Sequence, residues 1–151
     1  MHILHTNGEH PDFIALCQAL DATLDTVAGG KDRRADYIPY NQRDDLHDVL
    51  IVYDDAQRPT GCAALRRIDD DTAEVKRVFV HDSHRRQGFG TQLMTALENL
   101  AKAQGYHRLI LETGEPLTAA MQLYQKLGYT IIPGYGPYAT MDDAICMMKE
   151  W

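Results

Sequence analysis

The sequence predicts a mixed α/β fold in which a twisted, mostly antiparallel sheet is covered by helices. Short apolar runs separated by tight turns fill the middle of the chain, in "VLIVYD", "CAALRRI" and "AEVKRVFV", and indicate the strands of a meander. Runs with helical spacing lie before and after them, in "PDFIALCQALDATLDTV" and "TQLMTALENLAKAQG". These patterns predict about seven strands and about four helices in the order βα(α)βββαβαββ.

The N-terminal part of the chain predicts a strand, a long helix and a polar segment. The strand is "HILHT", and the helix after it has Pro11 near its start and Gly29 just beyond its end, which are typical helix boundaries. The polar stretch from Lys31 to Asp48 is expected to hold a short helix that is interrupted near Pro39.

The C-terminal half predicts two helices, each followed by strands. The first helix ends at Ala103, before Gly105, and the strand "RLILE" follows it. The second helix is "PLTAAMQLYQKL", with Pro116 in its first turn and Gly128 at its C-terminal cap. The strands "YTIIP" and "AICMMKE" then enclose the loop "GYGPYATMDD".

The composition favours one globular domain over residues 1–151. Of the 151 residues 44% are hydrophobic, and no linker-like or repetitive segment interrupts them. The net charge of -7 argues against a protein that binds nucleic acid and favours a cationic partner. The three cysteines lack zinc-site spacing and are expected to be reduced core residues. No apolar run is long enough to span a membrane, so we expect a cytoplasmic protein without a membrane partner.

The segment "RRQGFG", residues 85–90, lies between a predicted strand and a predicted helix. The first N–H groups of a helix lack partners within it and carry partial positive charge, so such a turn is suited to bind an anion. Gly88 and Gly90 remove side chains that would keep a phosphate away. A tight turn without a ligand is the alternative. The dinucleotide fingerprint and the P-loop do not fit, because Leu93 replaces the third glycine and no Gly-Lys-Ser/Thr follows.

These residues resemble a known family. The segment "RRQGFG" resembles the pyrophosphate-binding motif (Arg/Gln)-x-x-Gly-x-(Gly/Ala) of the GNAT superfamily of acetyl-CoA-dependent N-acetyltransferases. The run "AEVKRVFV" is similar to that family's fourth strand, and "LTAAMQLYQKLGY" to its late helix. The resemblance is strongest over residues 61–149 and implies a GNAT-like fold. It also implies acetyl-CoA as the acetyl donor and no metal.

The resemblance implies which residues bind the donor. The backbone amides from Arg85 to Thr91 would hold the pyrophosphate, and the strand from Val78 to Val80 would pair with the pantetheine arm. The implied cofactor-binding residues are Val78, Phe79, Val80, Arg85, Arg86, Gln87, Gly88, Phe89, Gly90, Thr91 and Tyr124.

The family's fourth strand commonly carries a bulge and diverges from the fifth, which opens a slot for the thioester. Val75 and Val78 are both apolar but cannot share one face of a regular strand, which favours a bulge between them. Burial of both faces of the strand is an equally good explanation.

Two residues match the family's catalytic positions. Tyr124 matches the tyrosine that hydrogen-bonds the coenzyme A sulfur and protonates it on departure; a tyrosine that only packs is the alternative. Glu74 lies eleven residues before Arg85, where some members carry a glutamate that acts as general base. Its alternatives are an exposed glutamate at the strand end, paired with Lys76, and deprotonation through ordered water.

The acceptor site is expected around the loop "GYGPYATMDD" and the polar N-terminal segment. The candidate acceptor-binding residues are Tyr37, Tyr40, Asn41, Tyr135 and Tyr138. Tyrosines suit a cationic amine, although Tyr135 and Tyr138 could instead pack against a partner subunit. His81 and His84, three residues apart, are expected to be loop residues rather than a metal pair.

The sequence therefore predicts an enzyme in which the amine of a small molecule or peptide attacks acetyl-CoA directly in a ternary complex. The alternative is a non-catalytic module that binds acetyl-CoA or coenzyme A as a sensor or scaffold. Nucleic acid is not expected as a partner. A homodimer is the expected assembly, because two-fold dimers are the commonest oligomers of soluble proteins.

Overall fold

The computed structural model of the chain describes residues 1–25, 46–84, 87–114, 118–141 and 144–151. The described strands are β1 (His2–Thr6), β2 (Asp48–Tyr53), β3 (Pro59–Arg67), β4 (Thr72–Val80), β5 (Arg108–Gly114), β6 (Thr130–Ile132) and β7 (Ala144–Glu150). The described α-helices are α1 (Pro11–Asp25), α2 (Phe89–Ala103) and α3 (Thr118–Lys126). Short 3-10 turns cover Asp82–His84 and Gly136–Thr140. None of the helices within these ranges is long and apolar enough to cross a membrane.

All seven strands lie in one sheet with the order β1-β2-β3-β4-β5-β7-β6. Neighbouring strands are antiparallel except β4 and β5, which are parallel. The parallel pair follows from the helix α2, which carries the chain from the end of β4 back to the start of β5. The predicted mixed, mostly antiparallel sheet of about seven strands is therefore confirmed.

Two details of the prediction were wrong. The described residues form three α-helices rather than about four. The additional helix was expected on a polar stretch without an apolar stripe. Residues 31–45 of that stretch lie outside the described residues. The strand β3 begins at Pro59, although its first residues were expected in a turn. Gly61 lies within this strand, and glycine is needed there because a Cβ would lie 2.7 Å from the backbone oxygen of Phe79.

The sheet separates two hydrophobic clusters. On the side covered by α2 and α3, which we call the α2 face, Leu93 and Leu97 pack on Leu109, Leu111 and other strand residues. On the opposite side, the α1 face, Phe13, Leu16 and Cys17 pack on residues of β2 and β3. The helical spacing read from the sequence is what presents these side chains to the sheet.

The strand β4 carries the predicted bulge. In the register with β3, Cys62 lies opposite Phe79 but Ala64 lies opposite Lys76, so β4 contains one extra residue. Val75 and Val78 consequently both pack on the α2 face, which confirms the bulge as the reason for their apolar character.

The strands β4 and β5 also diverge as expected. Their pairing covers only Thr72–Glu74 against Arg108–Ile110, whereas β5 continues to pair with β7 as far as Gly114. The two strands therefore form an opening that begins beyond Glu74.

Candidate functional site

The glycine turn leads from the end of β4 into the helix α2. Gly88 precedes the helix with φ 83°, a left-handed conformation that favours glycine, and no side chain caps the first N–H groups. Apart from its chain neighbours and the backbone of α2, a Cβ at Gly88 would have no atom of the described residues within 4 Å, so these residues leave room at this glycine. The first turn of α2, all of which is described, carries no acidic side chain. The turn therefore offers backbone N–H groups and a helix dipole to an anion without competition from a carboxylate.

The other residues of the glycine turn differ in burial and packing. Gln87 and Thr91 are exposed, whereas the ring of Phe89 is buried in the α2-face core and lies edge-on to His84 at 5.4 Å. Gly90 lies where a Cβ would approach Leu123 of α3 to 3.3 Å, so this glycine also serves helix packing. Arg85 and Arg86 lie outside the described residues.

The two histidines before the turn are loop residues. The Nε2 atom of His84 lies 3.2 Å from a carboxylate oxygen of Asp54, and His81 packs edge-on against Phe79. Among the described residues, no group of three or more His, Cys, Asp or Glu side chains is arranged to hold a metal ion. His84 thus links the glycine turn to the end of β2.

Tyr124 lies on the α2 face beside the opening. Its side chain belongs to the apolar core, with 6% of the residue exposed, and its ring meets that of Tyr129 at 5.8 Å. Burial raises the pKa of Tyr124 above its usual value, and the negative charge of Glu112 adds to the shift. The hydroxyl therefore remains protonated at neutral pH and can donate a hydrogen bond.

Glu74 lies on the α1 face at the point where β4 and β5 separate. The alternative of an exposed strand-end glutamate was wrong, because only 2% of the residue is exposed. The Tyr135 hydroxyl donates a hydrogen bond of 2.6 Å to its Oε2, and the guanidinium of Arg66 lies 3.5 Å from its Oε1. Arg66 is the cross-strand neighbour of Glu74 on β3, so the sheet register brings the two charges together.

Lys76 continues this polar surface along the open part of β4. Its ammonium donates a hydrogen bond of 3.2 Å to the Tyr138 hydroxyl, and only 6% of the residue is exposed. Burial lowers the pKa of Lys76, while the charges of Glu74 and Glu112 act in the opposite direction. The rings of Tyr135 and Tyr138 meet edge-on at 5.5 Å. The 3-10 turn that carries Tyr138 is thus fixed to β4 through this tyrosine and Tyr135 just before it.

Sequence reasoning missed Glu112 and Arg66. Glu112 is half-buried on β5, and its charge acts on Lys76, Tyr124 and Tyr138. One signal was available: in "RLILETG", Leu109 and Leu111 alternate with Ile110 and Glu112, which places a carboxylate on the face opposite the α2-face core. We call the set Arg66, Glu74, Lys76, Glu112, Tyr135 and Tyr138 the polar network.

The described candidates lie on β4, on the glycine turn with the start of α2, on α3 and on the segment just before β7. Val78 and Val80 pack against the α2-face core, and Phe79 belongs to the α1-face core. Tyr135 and Tyr138 lie in the polar network. The remaining acceptor candidates, Tyr37, Tyr40 and Asn41, lie outside the described residues.

Comparisons with known proteins agree with this fold. A crystal structure of a proposed acyl-CoA N-acyltransferase from Klebsiella pneumoniae superposes with a TM-score of 0.83 and 29% identity, over 99% of this chain and 96% of that one. A GNAT family acetyltransferase from Elizabethkingia anophelis, solved with acetyl-CoA bound, has the same fold, with a TM-score of 0.66, 21% identity and coverage of 99% and 97%.

Sequence relatives cover a smaller share of the chain. YsnE of Bacillus subtilis, named an uncharacterized N-acetyltransferase, is 30% identical over 92 residues, which are 60% of this chain and 61% of the relative. The first curated relatives are matched over only 37% to 61% of their own length. The model of the acetyltransferase (GNAT) family matches residues 15–129, from α1 to the end of the late-helix motif. The chain belongs to the acetyltransferase (GNAT) family.

Proposed function

We propose that this protein transfers an acetyl group from acetyl-CoA to a primary amine, which attacks the donor directly in a ternary complex. The observation that carries the proposal is the opening between β4 and β5. A glycine turn suited to an anion lies at one end, and groups suited to proton transfer line both faces. Bound acetyl-CoA supplies the activated acyl group.

The glycine turn fits the donor's pyrophosphate. Its first helical N–H groups have no side-chain cap, and the space at Gly88 is open, so backbone amides from Gln87 to Thr91 can donate to phosphate oxygens. The proposed donor set also includes Val78, Phe79, Val80 and Tyr124. Arg85 and Arg86, outside the described residues, are assigned to the rim on the family resemblance alone.

Tyr124 is the proposed general acid. Its hydroxyl is protonated at neutral pH because burial and the charge of Glu112 raise its pKa. As the bond between the acyl carbon and sulfur breaks, this hydroxyl gives its proton to the departing sulfur.

Glu74 is the proposed final proton acceptor. An alkylamine with a pKa of about 10 must lose a proton before or during attack. Glu74 is too buried to meet an acceptor directly, but the half-buried Tyr135 hydroxyl stands 2.6 Å from its carboxylate. The amine proton would therefore pass to the Tyr135 oxygen as the Tyr135 proton passes to Glu74.

The proposed acceptor is the primary amine of a small molecule or peptide. The half-buried Tyr135 would face it, and Tyr138, of which only 3% is exposed, would support the site through its bond to Lys76, with Tyr37, Tyr40 and Asn41 assigned by resemblance. In the polar network two carboxylates face two basic side chains, so the network itself does not require a polycationic acceptor. An amine panel should therefore include amines with and without further charges.

We also propose that residues 1–151 form one domain, because all seven described strands share one sheet. A cytoplasmic location is supported by the three cysteines, all of which are free thiols. A homodimer is proposed as the assembly, and the exposed Ile131 on the edge strand β6 is a candidate contact. Light scattering after gel filtration measures the assembly directly.

Thermal unfolding with acetyl-CoA, coenzyme A, ATP or NAD tests the proposal. A ligand at 100 times its dissociation constant adds about 2.7 kcal/mol to stability. We expect stabilisation by the coenzyme A ligands alone, followed by thiol release with at least one amine of the panel. Binding without thiol release for any amine would favour the non-catalytic module, and the absence of stabilisation would overturn the proposal.

A further inference from the structure

Arg77 occupies the bulge of β4. It has φ 57°, one of only two positive values at non-glycine residues within the described ranges. A left-handed residue in one strand is typical of a bulge, and it changes the direction of the side chains that follow. After Arg77, Phe79 faces the α1 core and Val78 and Val80 face the α2 core.

The side chain of Arg77 ties this bulge to α1. Only 4% of the side chain is exposed, and its Nη1 lies 3.0 Å from a carboxylate oxygen of Asp21. Its Nη2 donates to the backbone oxygen of Cys17 at 3.1 Å, and its Nε donates to the Cys17 sulfur at 3.4 Å. The backbone oxygen of Arg77 accepts a hydrogen bond of 3.3 Å from the Cys62 thiol. All three guanidinium nitrogens are therefore engaged by one helix.

The position of the bulge gives these bonds a consequence for ligand binding. The pairing of β4 with β5 ends at Glu74, so residues 77–80 are not paired with β5. They are held in the sheet by β3 on one side, through the pairs Gly61–Val80 and Cys62–Phe79. The contacts of Arg77 with α1 are an additional attachment at the start of this segment.

We propose that Arg77 is a positioning residue that fixes the shape of residues 78–80 for the arm of the acetyl donor. This inference rests on the proposed function, because it assigns a donor to the opening. Arg77 does not touch the reacting atoms. It holds the bulge in place by anchoring it to α1, and Asp21 and the backbone of Cys17 hold the guanidinium.

The test compares variants of this attachment with a matched control. Arg77→Gln removes the charge and two of the three donor nitrogens. Arg77→Lys keeps the charge, and Asp21→Asn weakens the attachment from α1. The control is Arg108→Gln, because Arg108 bonds the Glu150 carboxylate at 2.8 Å and the Thr72 hydroxyl at 3.3 Å, at the start of β4 and away from the bulge. For each protein we would measure the dissociation constant of coenzyme A, KM for acetyl-CoA, kcat and Tm.

We expect Arg77→Gln to weaken coenzyme A binding and raise KM for acetyl-CoA by about tenfold, with little change in kcat. Arg77→Lys should recover part of that loss, Asp21→Asn should lose about threefold, and Arg108→Gln should match the wild type. A purely structural role would lower Tm and leave the affinity of the folded protein unchanged, which would overturn the inference.

Two outcomes separate this inference from the proposed function. A wild-type protein that does not bind coenzyme A would overturn both. A wild-type protein that binds it, with Asp21→Asn and Arg77→Lys binding equally well, would overturn the role of Arg77 alone. Asp21→Asn keeps the test decisive if Arg77→Gln fails to fold, because Asp21 lies on the partly exposed side of α1.

Discussion

The two faces of the sheet at the opening are built in opposite ways. On the α2 face the strands carry apolar side chains that pack in one core with the buried phenol of Tyr124. On the α1 face the opening is lined by the polar network, in which Glu74 and Lys76 are bonded to Tyr135 and Tyr138. The difference suggests a division of labour. Burial keeps the phenol of Tyr124 protonated, as the proposed general acid requires, and Tyr135 and Arg66 lie beside the carboxylate that is proposed to accept a proton.

Changes to the polar network should have the largest effect on turnover. We expect Glu74→Gln and Tyr135→Phe each to lower kcat by about 100-fold, because each interrupts the same proton transfer. The double variant should be no worse than either single one, which a double-mutant cycle on kcat would measure. Glu112→Gln is the matched control, since it removes the other carboxylate near the opening. A larger loss for Glu112→Gln than for Glu74→Gln would move the base to β5.

The phenol on the α2 face should matter less. We expect Tyr124→Phe to lower kcat by about tenfold and to leave KM for acetyl-CoA unchanged, because a thiol with a pKa of about 8.5 leaves fairly well without help. Steady-state kinetics checks this. Tyr129→Phe is the matched control, because its ring contacts that of Tyr124 and its buried hydroxyl has no hydrogen-bond partner within the described residues. Equal kcat values for the two variants would remove Tyr124 from the mechanism.

Two glycine-to-alanine variants, one of them in the glycine turn, separate the effect of backbone strain from the effect on ligand binding. Gly88→Ala and Gly105→Ala should each cost about 1 kcal/mol of unfolding free energy, since φ is 83° and 91° and neither Cβ meets a neighbour. Only Gly88→Ala should also weaken coenzyme A binding, by about tenfold, because its methyl group would stand in the space proposed for phosphate. Denaturant unfolding and calorimetry give the two quantities. Equal coenzyme A affinity in both variants would contradict the proposed donor site.

Removal of a second tyrosine–carboxylate bond on the α1 face should have the smallest effect on the protein. The Tyr53 hydroxyl donates to Asp12 at 2.6 Å, the same length as the Tyr135–Glu74 bond, but it joins β2 to the start of α1. We expect Tyr53→Phe to cost about 1 kcal/mol of stability and to leave kcat unchanged. A loss of turnover in Tyr53→Phe would show that tyrosine–carboxylate bonds on this face affect turnover only through the stability of the face, and not through proton transfer.

The same bond predicts a dependence on pH. Burial, with Asp12 adding to it, raises the pKa of Tyr53 to about 12 from its usual 10.0. Because the folded protein holds this proton more tightly than the unfolded chain, the contribution is complete below pH 10 and is lost as the pH rises through about 12. The stability difference between the wild type and Tyr53→Phe should therefore shrink over that window in alkaline unfolding experiments.

The sequence predicted more of the glycine turn, Tyr124 and the bulge than of the polar network, and the difference has a physical reason. The glycine turn and Tyr124 depend on residue types at fixed spacings within one segment, so their positions could be read directly. The bulge was also open to prediction, because a shift in side-chain alternation places Val75 and Val78 on one face. These features are local, and the structure agrees with them.

The polar network could not be predicted in the same way, because it joins residues that are far apart in the chain. Glu74 was singled out, but its burial stayed open between two interpretations, since Tyr135 reaches it from 61 positions away. Arg66 reaches Glu74 through the β3–β4 register, which the sequence does not state. The role of Arg77 was hidden for the same reason, because its partners on α1 lie more than 50 residues earlier.

The short parallel pairing of β4 with β5 divides the sheet along the order of the chain. The strands β1 to β4 come from residues 2–80 and the strands β5 to β7 from residues 108–150, and within the sheet only three residue pairs join the two parts. A donor bound in the opening would contact both parts and act as a bridge between them. The unfolding transition should then become more cooperative when coenzyme A is bound, because opening the seam would require release of the ligand. This short seam between the two parts of the sheet would be the place where binding makes the molecule behave as one unit.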